Sequence, residues 1–332
     1  MPVDTKGPPT HHAWAAEKGI HNLFRRLKRL TAVAGIGALA VAGAAVPTYA
    51  SAPGWSDGPS VGAGYTGNHG VILGPNSQKY MCAADGDGLS AAAPSVTWTD
   101  MSEAKPVNSL RVATFVGGYY QQLGGTRAYG ITDATTLGRI AWVASNAETS
   151  DGVRAAAYQI GLIRVAGTFE HSIYQLQEQG KLTDGNAQLG NAVQMSKNVF
   201  AKAVEEAGPY NVAPKLELAK SGSEGSITNI GATAQSGKWM SGYSYTLQLS
   251  GPAVFESNQG KSLSGTTSQS AQNVKIKTTG AGEVSVKLVV KDLPTAKPWV
   301  TTGNVTSHGK TIRGQNLVVL GKKAPVEGTA KA

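Results

Sequence analysis

The feature that most constrains the fold is a change in the spacing of apolar residues near Pro214. From about Thr132 to Pro209 they recur every three or four positions, which is the period of a helix with a buried face. After Pro214 apolar and polar residues alternate in short runs separated by Gly, Ser, Asn and Pro, as in half-buried strands. The sequence therefore predicts an α+β chain, with helices before Pro214 and an all-β unit after it.

Three helical segments are predicted. Capping residues place the start of the first at Thr132 or Asp133 and of the second at Ser150 or Asp151. The third ends before Pro209, since proline follows a glycine there. The second segment, RAAAYQIGLIRVAG, is apolar on nearly all sides, which is typical of a buried central helix.

Short strands are predicted on both sides of the helices. GVILG and SVTWT precede them, and six or seven short runs over about 110 residues follow them, which is the pattern of an Ig-like β-sandwich. We expect a mixed α+β domain over residues 55–212 and the sandwich over residues 213–322. The small, polar residues 323–332 are expected to form a flexible tail.

Residues 1–50 have the pattern of a secretory signal peptide. A basic stretch, HNLFRRLKRL, precedes the uncharged apolar run TAVAGIGALAVAGAAV, and small residues follow at signal-peptidase spacing. The apolar run is shorter than the roughly 20 residues of a transmembrane helix. We therefore expect an extracellular or cell-surface protein that meets the membrane only through this leader, before its cleavage.

Charge and motifs argue against several classes of protein. Of 30 basic and 21 acidic residues, six and two lie in residues 1–50, so the remainder carries a net charge of +5. Basic residues are scattered, which makes a nucleic-acid partner unexpected. His69, His171 and His308 stand apart, without metal-ligand spacing. Asp and Glu are scattered without an evident carboxylate pair, and neither an enzyme nor a cofactor is expected.

The chain contains one cysteine, Cys82, in KYMCAADGDG. In an exported protein this thiol has no intramolecular disulfide partner. It is either a small buried hydrophobic side chain or a reactive group. The neighbouring Asp85 and Asp87 lack the further ligands of a calcium loop and are predicted to form a turn.

Gln159 lies inside the helix that is predicted to be buried on all sides. A buried carboxamide without partners costs about 1–3 kcal/mol. It is therefore expected to bond neighbouring backbone groups or to be chemically altered. A cysteine sulfur that attacks a glutamine carboxamide expels ammonia and leaves an internal thioester, which an outside amine can open to form an isopeptide-like link.

At these residues the chain resembles the Gram-positive surface proteins, actinobacterial ones among them, that carry a thioester adhesin domain. The order of leader, Tyr-x-Cys strand, Gln-bearing buried helix, AGPY helix end and Ig-like sandwich is shared over most of residues 60–320. The resemblance implies a thioester between Cys82 and Gln159. Tyr158, Gly161 and Ile163 stand where the family's helix motif has Thr, Ala and Trp.

The resemblance implies an adhesin-like protein that binds an extracellular protein or glycan. Two other functions stay open. The chain is alternatively a non-reactive structural or binding module of the cell envelope, or an enzyme that acts on wall polymers. The last would need a cluster of carboxylates or histidines in a cleft.

Overall fold

The computed structural model describes residues 56–62, 68–74, 77–83, 97–99, 102–115, 126–170, 172–181, 186–219, 223–307, 310–313 and 316–332. The predicted signal peptide and the Asp85–Asp87 turn lie outside these residues. The described part contains four helices: α1 Ala134–Ser145, α2 Gly152–Val165, α3 Ile173–Glu178 and α4 Ala187–Glu206. None of them is long and apolar enough to cross a membrane.

The strands surround the helices in the sequence. Before α1 lie β1 Ser56–Gly62, β2 Asn68–Leu73, β3 Lys79–Cys82, β4 Thr97–Thr99, β5 Lys105–Pro106, β6 Leu110–Phe115 and β7 Thr126–Ile131. After α4 lie β8 Lys215–Leu218, β9 Glu224–Ile230, β10 Ser244–Ser250, β11 Ala253–Phe255, β12 Ser262–Thr266, β13 Gln272–Thr278, β14 Ser285–Pro294, β15 Trp299–Thr301, β16 Asn304–Ser307, β17 Lys310–Arg313, β18 Leu317–Val319 and β19 Lys323–Lys331. The predicted α+β class is confirmed.

Local capping fixes where the helices begin. The side chain of Asp133 accepts from the backbone N–H of Thr136 at 2.9 Å, and Asp151 accepts from Arg154 at 2.8 Å. Each bond satisfies one of the N–H groups that the first turn leaves without a helical partner. Asp133, rather than Thr132, is thus the N-cap of α1, and Asp151, rather than Ser150, is the N-cap of α2.

Helix α2 is the central element of the helical region, as predicted. Its residues from Ala155 to Ile163 are all buried. Gly161 lets α4 approach closely, because a Cβ atom at this position would lie 2.5 Å from Cγ1 of Val199. Helix packing therefore explains the glycine at this position.

Five antiparallel sheets are formed by the strands of the described residues. The largest has the strand order β1-β2-β3-β18-β15-β5 and packs against α2 through β1 and β2. Two four-stranded sheets, β12-β10-β14-β19 and β11-β13-β9-β8, face each other across one apolar core. The remaining sheets are β17-β16-β4 and the hairpin β6-β7. The core of the sandwich is centred on Ile227, Ile230, Leu247, Phe255, Ile276 and Leu288, all fully buried.

The pairing corrects the expected boundaries of the sandwich. Strands β15 and β18, expected within it, instead join the six-stranded sheet, where Val318 pairs with Met81 and Val300 pairs with Lys105. Every residue of β18 is buried, as in a strand covered on both faces. A continuous apolar run such as LVVL gives no indication of which sheet it enters.

The expected flexible tail is also wrong. Residues 323–331 form β19, which pairs with β14 at eight positions from Ser285↔Lys331 to Pro294↔Lys323. Its inward positions are half-buried and carry small side chains. Because such residues give a weak hydrophobic alternation, the strand resembles a polar tail in the sequence. The inward residues are Ala324, Val326, Gly328 and Ala330.

Candidate functional site

Cys82 is the last residue of β3, an interior strand of the six-stranded sheet. It pairs with Leu317 of β18 on one side, and Tyr80 pairs with Ile72 of β2 on the other. The Cys82 residue is 9% exposed. The thiol therefore lies in the interior of the protein. Its strand is flanked by β2, which precedes it in the sequence, and by β18, which lies more than 200 residues after it.

Gln159 lies on α2, on the side of the helix that packs against β2. The residue is 5% exposed. Its side-chain oxygen Oε1 accepts a hydrogen bond of 2.5 Å from the backbone N–H of Gly70 in β2. The predicted backbone partner of this buried carboxamide thus exists, on the strand next to the one that carries Cys82.

A β-bulge in β1 accompanies the contact between Gly70 and Gln159. The register runs from Asp57↔Ile72 to Ser60↔Gly70, so Gly58 and Pro59 together oppose a single residue of β2. A bulge bends its strand and locally disrupts the ladder. The β1–β2 pair is thus irregular next to the residue that bonds to Gln159.

The direction of the Gly70 N–H places the carboxamide oxygen on the side of β2 that faces β3. In an antiparallel strand, every second N–H points to the same neighbour. The N–H of Gly74 donates to the carbonyl of Gln78 at 2.8 Å, at the β3 end of the β2–β3 connection. By this alternation the N–H of Gly70 also points toward β3, where the continued register would place Cys82 opposite it. The carboxamide of Gln159 takes the bond that would otherwise continue the ladder.

The surroundings of Cys82 favour the neutral thiol. Burial raises the pKa of Cys82 from 9.0 to about 12. Burial also raises the pKa of Tyr174, and the charge of a Cys82 thiolate raises that pKa further. Tyr174 packs in one apolar cluster with Ile160 and Ile163, the residues of α2 that surround Gln159. Cys82, Tyr174 and Gln159 thus belong to one region.

A free Cys82 thiol is expected to alkylate slowly and with a shifted pH dependence. Because only the thiolate reacts, folded Gln159→Ala protein should react with iodoacetamide about 10³-fold more slowly at pH 8 than the same protein in guanidinium. The rate should rise tenfold per pH unit from pH 9 to 11, as followed by intact mass.

The sign of the pKa shift also sets a dependence of stability on pH. A raised pKa in the folded state means that the folded protein favours the protonated thiol of Cys82. The contribution of this thiol to the free energy of unfolding is therefore complete below pH 9 and is lost as the pH rises toward 12.

An alkylation rate that levels off near pH 9 in the folded variant would contradict the assigned burial.

Other candidate sites find less support. No group of three or more His, Cys, Asp or Glu side chains is arranged to hold a metal ion within the described residues. An open cavity of about 370 Å³ lies on the sandwich between β8, β9 and β13. Three carboxylates and two ammonium groups line it together. These side chains are Glu217, Glu224, Glu256, Lys275 and Lys277.

Sequence reasoning missed Gly70 and Tyr174. Gly70 opens the run GVILG, which predicts a strand but not the partner of its N–H. Tyr174 lies on α3, a helix of six residues that the periodicity did not predict. Neither residue carries a local signal that links it to Cys82, because both reach the region through tertiary packing.

Comparisons with known proteins include a distant similarity to a solved structure. No model of a known protein family matches the chain, and no curated protein matches it in sequence. Among solved structures, the chain is similar to the Bacillus anthracis TIE protein, with a TM-score of 0.36 and 11% sequence identity. The match covers 79% of this chain and 42% of that one, so the chain spans less than half of that structure. At this TM-score, the assignment of the fold rests on the sheets and helices themselves.

Proposed function

We propose that this protein is a binding protein of the cell exterior whose Cys82 and Gln159 form an internal thioester. The observation that carries the proposal is the hydrogen bond from the Gly70 N–H to Oε1 of Gln159. It fixes the carboxamide on the side of β2 that faces the strand of Cys82. The signal-peptide pattern of residues 1–50 supports export, and the sequence resemblance supports an adhesin-like role toward a protein or glycan.

The proposed reaction proceeds in two steps. The sulfur of Cys82 attacks Cδ of Gln159, the C–S bond forms, the C–N bond breaks and the thiol proton leaves with the nitrogen as ammonia. An amine of the target then attacks the same carbon, the C–S bond breaks and a proton returns to the sulfur. Burial at both residues excludes the water that would hydrolyse the bond between these steps.

Electrospray mass of the folded protein tests the thioester. We expect a deficit of about 17 Da, one ammonia, that disappears in Cys82→Ala and in Gln159→Ala and after incubation with methylamine. Gln194→Ala, which changes an exposed glutamine of α4, is the matched control and should keep the deficit. A full mass for wild-type protein with a free thiol in the unfolded chain would refute the thioester.

A non-reactive binding module is the second candidate, and two observations favour it. The hydrogen bond from the Gly70 N–H gives the buried carboxamide oxygen of Gln159 a partner without any chemical alteration. Met81 and Ala83 belong to the apolar cluster that includes Tyr158 and Leu162 of α2. Since side chains alternate along a strand, Cys82 between them starts out toward the opposite face of the sheet. An unmodified wild-type mass, together with unchanged target binding in Cys82→Ser, would establish this alternative.

A further inference from the structure

We propose that the backbone N–H of Gly70 is the oxyanion donor of this site and stabilises negative charge on Oε1 of Gln159 whenever its acyl carbon is attacked. The inference rests on the proposed thioester. It assigns a role in the reaction to a residue outside the Cys82–Gln159 pair.

The geometry supplies the donor at the atom where charge develops. Attack on Cδ of Gln159 by the Cys82 sulfur, or later by an amine, converts the carbonyl into a tetrahedral centre whose oxygen is negatively charged. That oxygen is Oε1, which already accepts from Gly70 N at 2.5 Å. A donor that is in place before the reaction requires no reorganisation when the charge forms, and in a buried site its effect is large.

The strand holds this donor in a fixed direction. Gly70 lies in β2 between a bulged partner, β1, and the interior strand β3. Its N–H points toward β3 but bonds to a side chain of α2 instead of a β3 carbonyl. Since Gln159 is buried, water is not positioned to replace the donor. The N–H therefore serves Oε1 in the ground state and throughout both attacks.

The backbone geometry at this position requires glycine. The φ angle of Gly70 is +152°, and a Cβ atom would lie 2.4 Å from the carbonyl oxygen of Pro59 and 2.7 Å from Cα of Ser60. A side chain would therefore push β2 away from β1 and move the N–H relative to Gln159. Because a larger residue tests packing as well as the donor, the decisive variant must change the N–H alone.

Replacing Gly70 with glycolic acid, which turns its amide into an ester, removes the N–H and adds no side chain. The matched control carries the same replacement at Gly74, whose N–H donates to Gln78 at the end of the same β2–β3 connection. In the full chain, the readouts are the rate at which the 17 Da deficit appears on refolding and the rate of methylamine adduct formation. We expect both rates to fall by about 10²–10³-fold at Gly70 and by less than tenfold at Gly74.

The outcomes separate this inference from the proposed function. A deficit that forms and reacts at wild-type rates in the Gly70 ester overturns the role of Gly70 and leaves the thioester standing. Equal losses in both esters overturn it as well, since they report a weakened hairpin. A wild-type protein without the deficit removes the thioester itself, and with it the inference.

A measurement on the unaltered backbone covers the case in which the ester does not fold. In Cys82→Ser protein, amide hydrogen exchange at Gly70 should be at least about 10²-fold slower than in the unfolded chain and should accelerate about tenfold on adding Gln159→Ala, while Gly74 stays unchanged. Exchange at the free-chain rate in Cys82→Ser would overturn the assignment, because an N–H bonded to Oε1 is protected.

Discussion

A fragment of residues 51–212 is expected not to fold on its own, although the sequence predicts a domain over residues 55–212. It lacks β15 and β18, so β3 loses one neighbouring strand and β5 loses the strand it pairs with. The helical core loses Val300, Val318 and Leu320. Burial of such side chains contributes about 1.5–3 kcal/mol each, and their sum approaches the 5–15 kcal/mol that typically stabilises a whole protein.

Circular dichroism and thermal unfolding of the fragment test this expectation, with residues 51–332 as the control that retains both strands. We expect helical signal without a cooperative transition for the fragment and a sharp transition for the control. A cooperative transition in the fragment, near the temperature of the control, would show that the helical region is stable without the returning strands.

Truncation after Lys322 is expected to destabilise the sandwich strongly, whereas removal of a flexible tail would change nothing. The deletion removes β19 and its eight pairings with β14. It uncovers the edge of β14, whose Val286, Leu288 and Val290 line the core. With net contributions of about 0.5–1.5 kcal/mol per hydrogen bond, partly offset by the freed chain entropy, we expect a loss of about 3 kcal/mol and a fall in Tm on the order of 10 °C.

Differential scanning calorimetry measures this loss, and the exposed edge should also promote aggregation. Thr329→Ala changes an exposed side chain of β19 and keeps the strand, so it should retain the wild-type Tm to within about 2 °C. An unchanged Tm on truncation would mean that β19 contributes little to the sandwich.

The helices were predictable because their signals are local. Asp133 and Asp151 cap α1 and α2 through bonds to residues three positions later in the sequence. Such a short separation can be recognised from the pattern of capping and apolar residues alone. The alternating strands β8, β9, β10, β13 and β14 were predictable for the same reason. The short helix α3 escaped detection because six residues do not complete two turns of periodic pattern.

The candidate pair was found through chemistry rather than geometry. A single cysteine, and a glutamine inside an apolar helix, stand out in the sequence because both are unusual in those settings. Their surroundings could not be foreseen. The donor Gly70 lies 89 positions before Gln159, and Leu317, which flanks Cys82, comes from the strand that was assigned to the sandwich.

The sequence by itself determined the α+β class, the starts of two helices and the two residues to question, since these depend on periodicity, capping and residue chemistry over short spans. Only the tertiary structure decided that the chain returns through β15 and β18 to the sheet of Cys82, and that β19 closes the sandwich. The physical reason is that pairing between distant strands depends on which backbone groups and apolar faces remain uncovered once the local elements form. For the same reason the carboxamide of Gln159 bonds to the N–H of Gly70, at the point where β3 would otherwise continue the ladder.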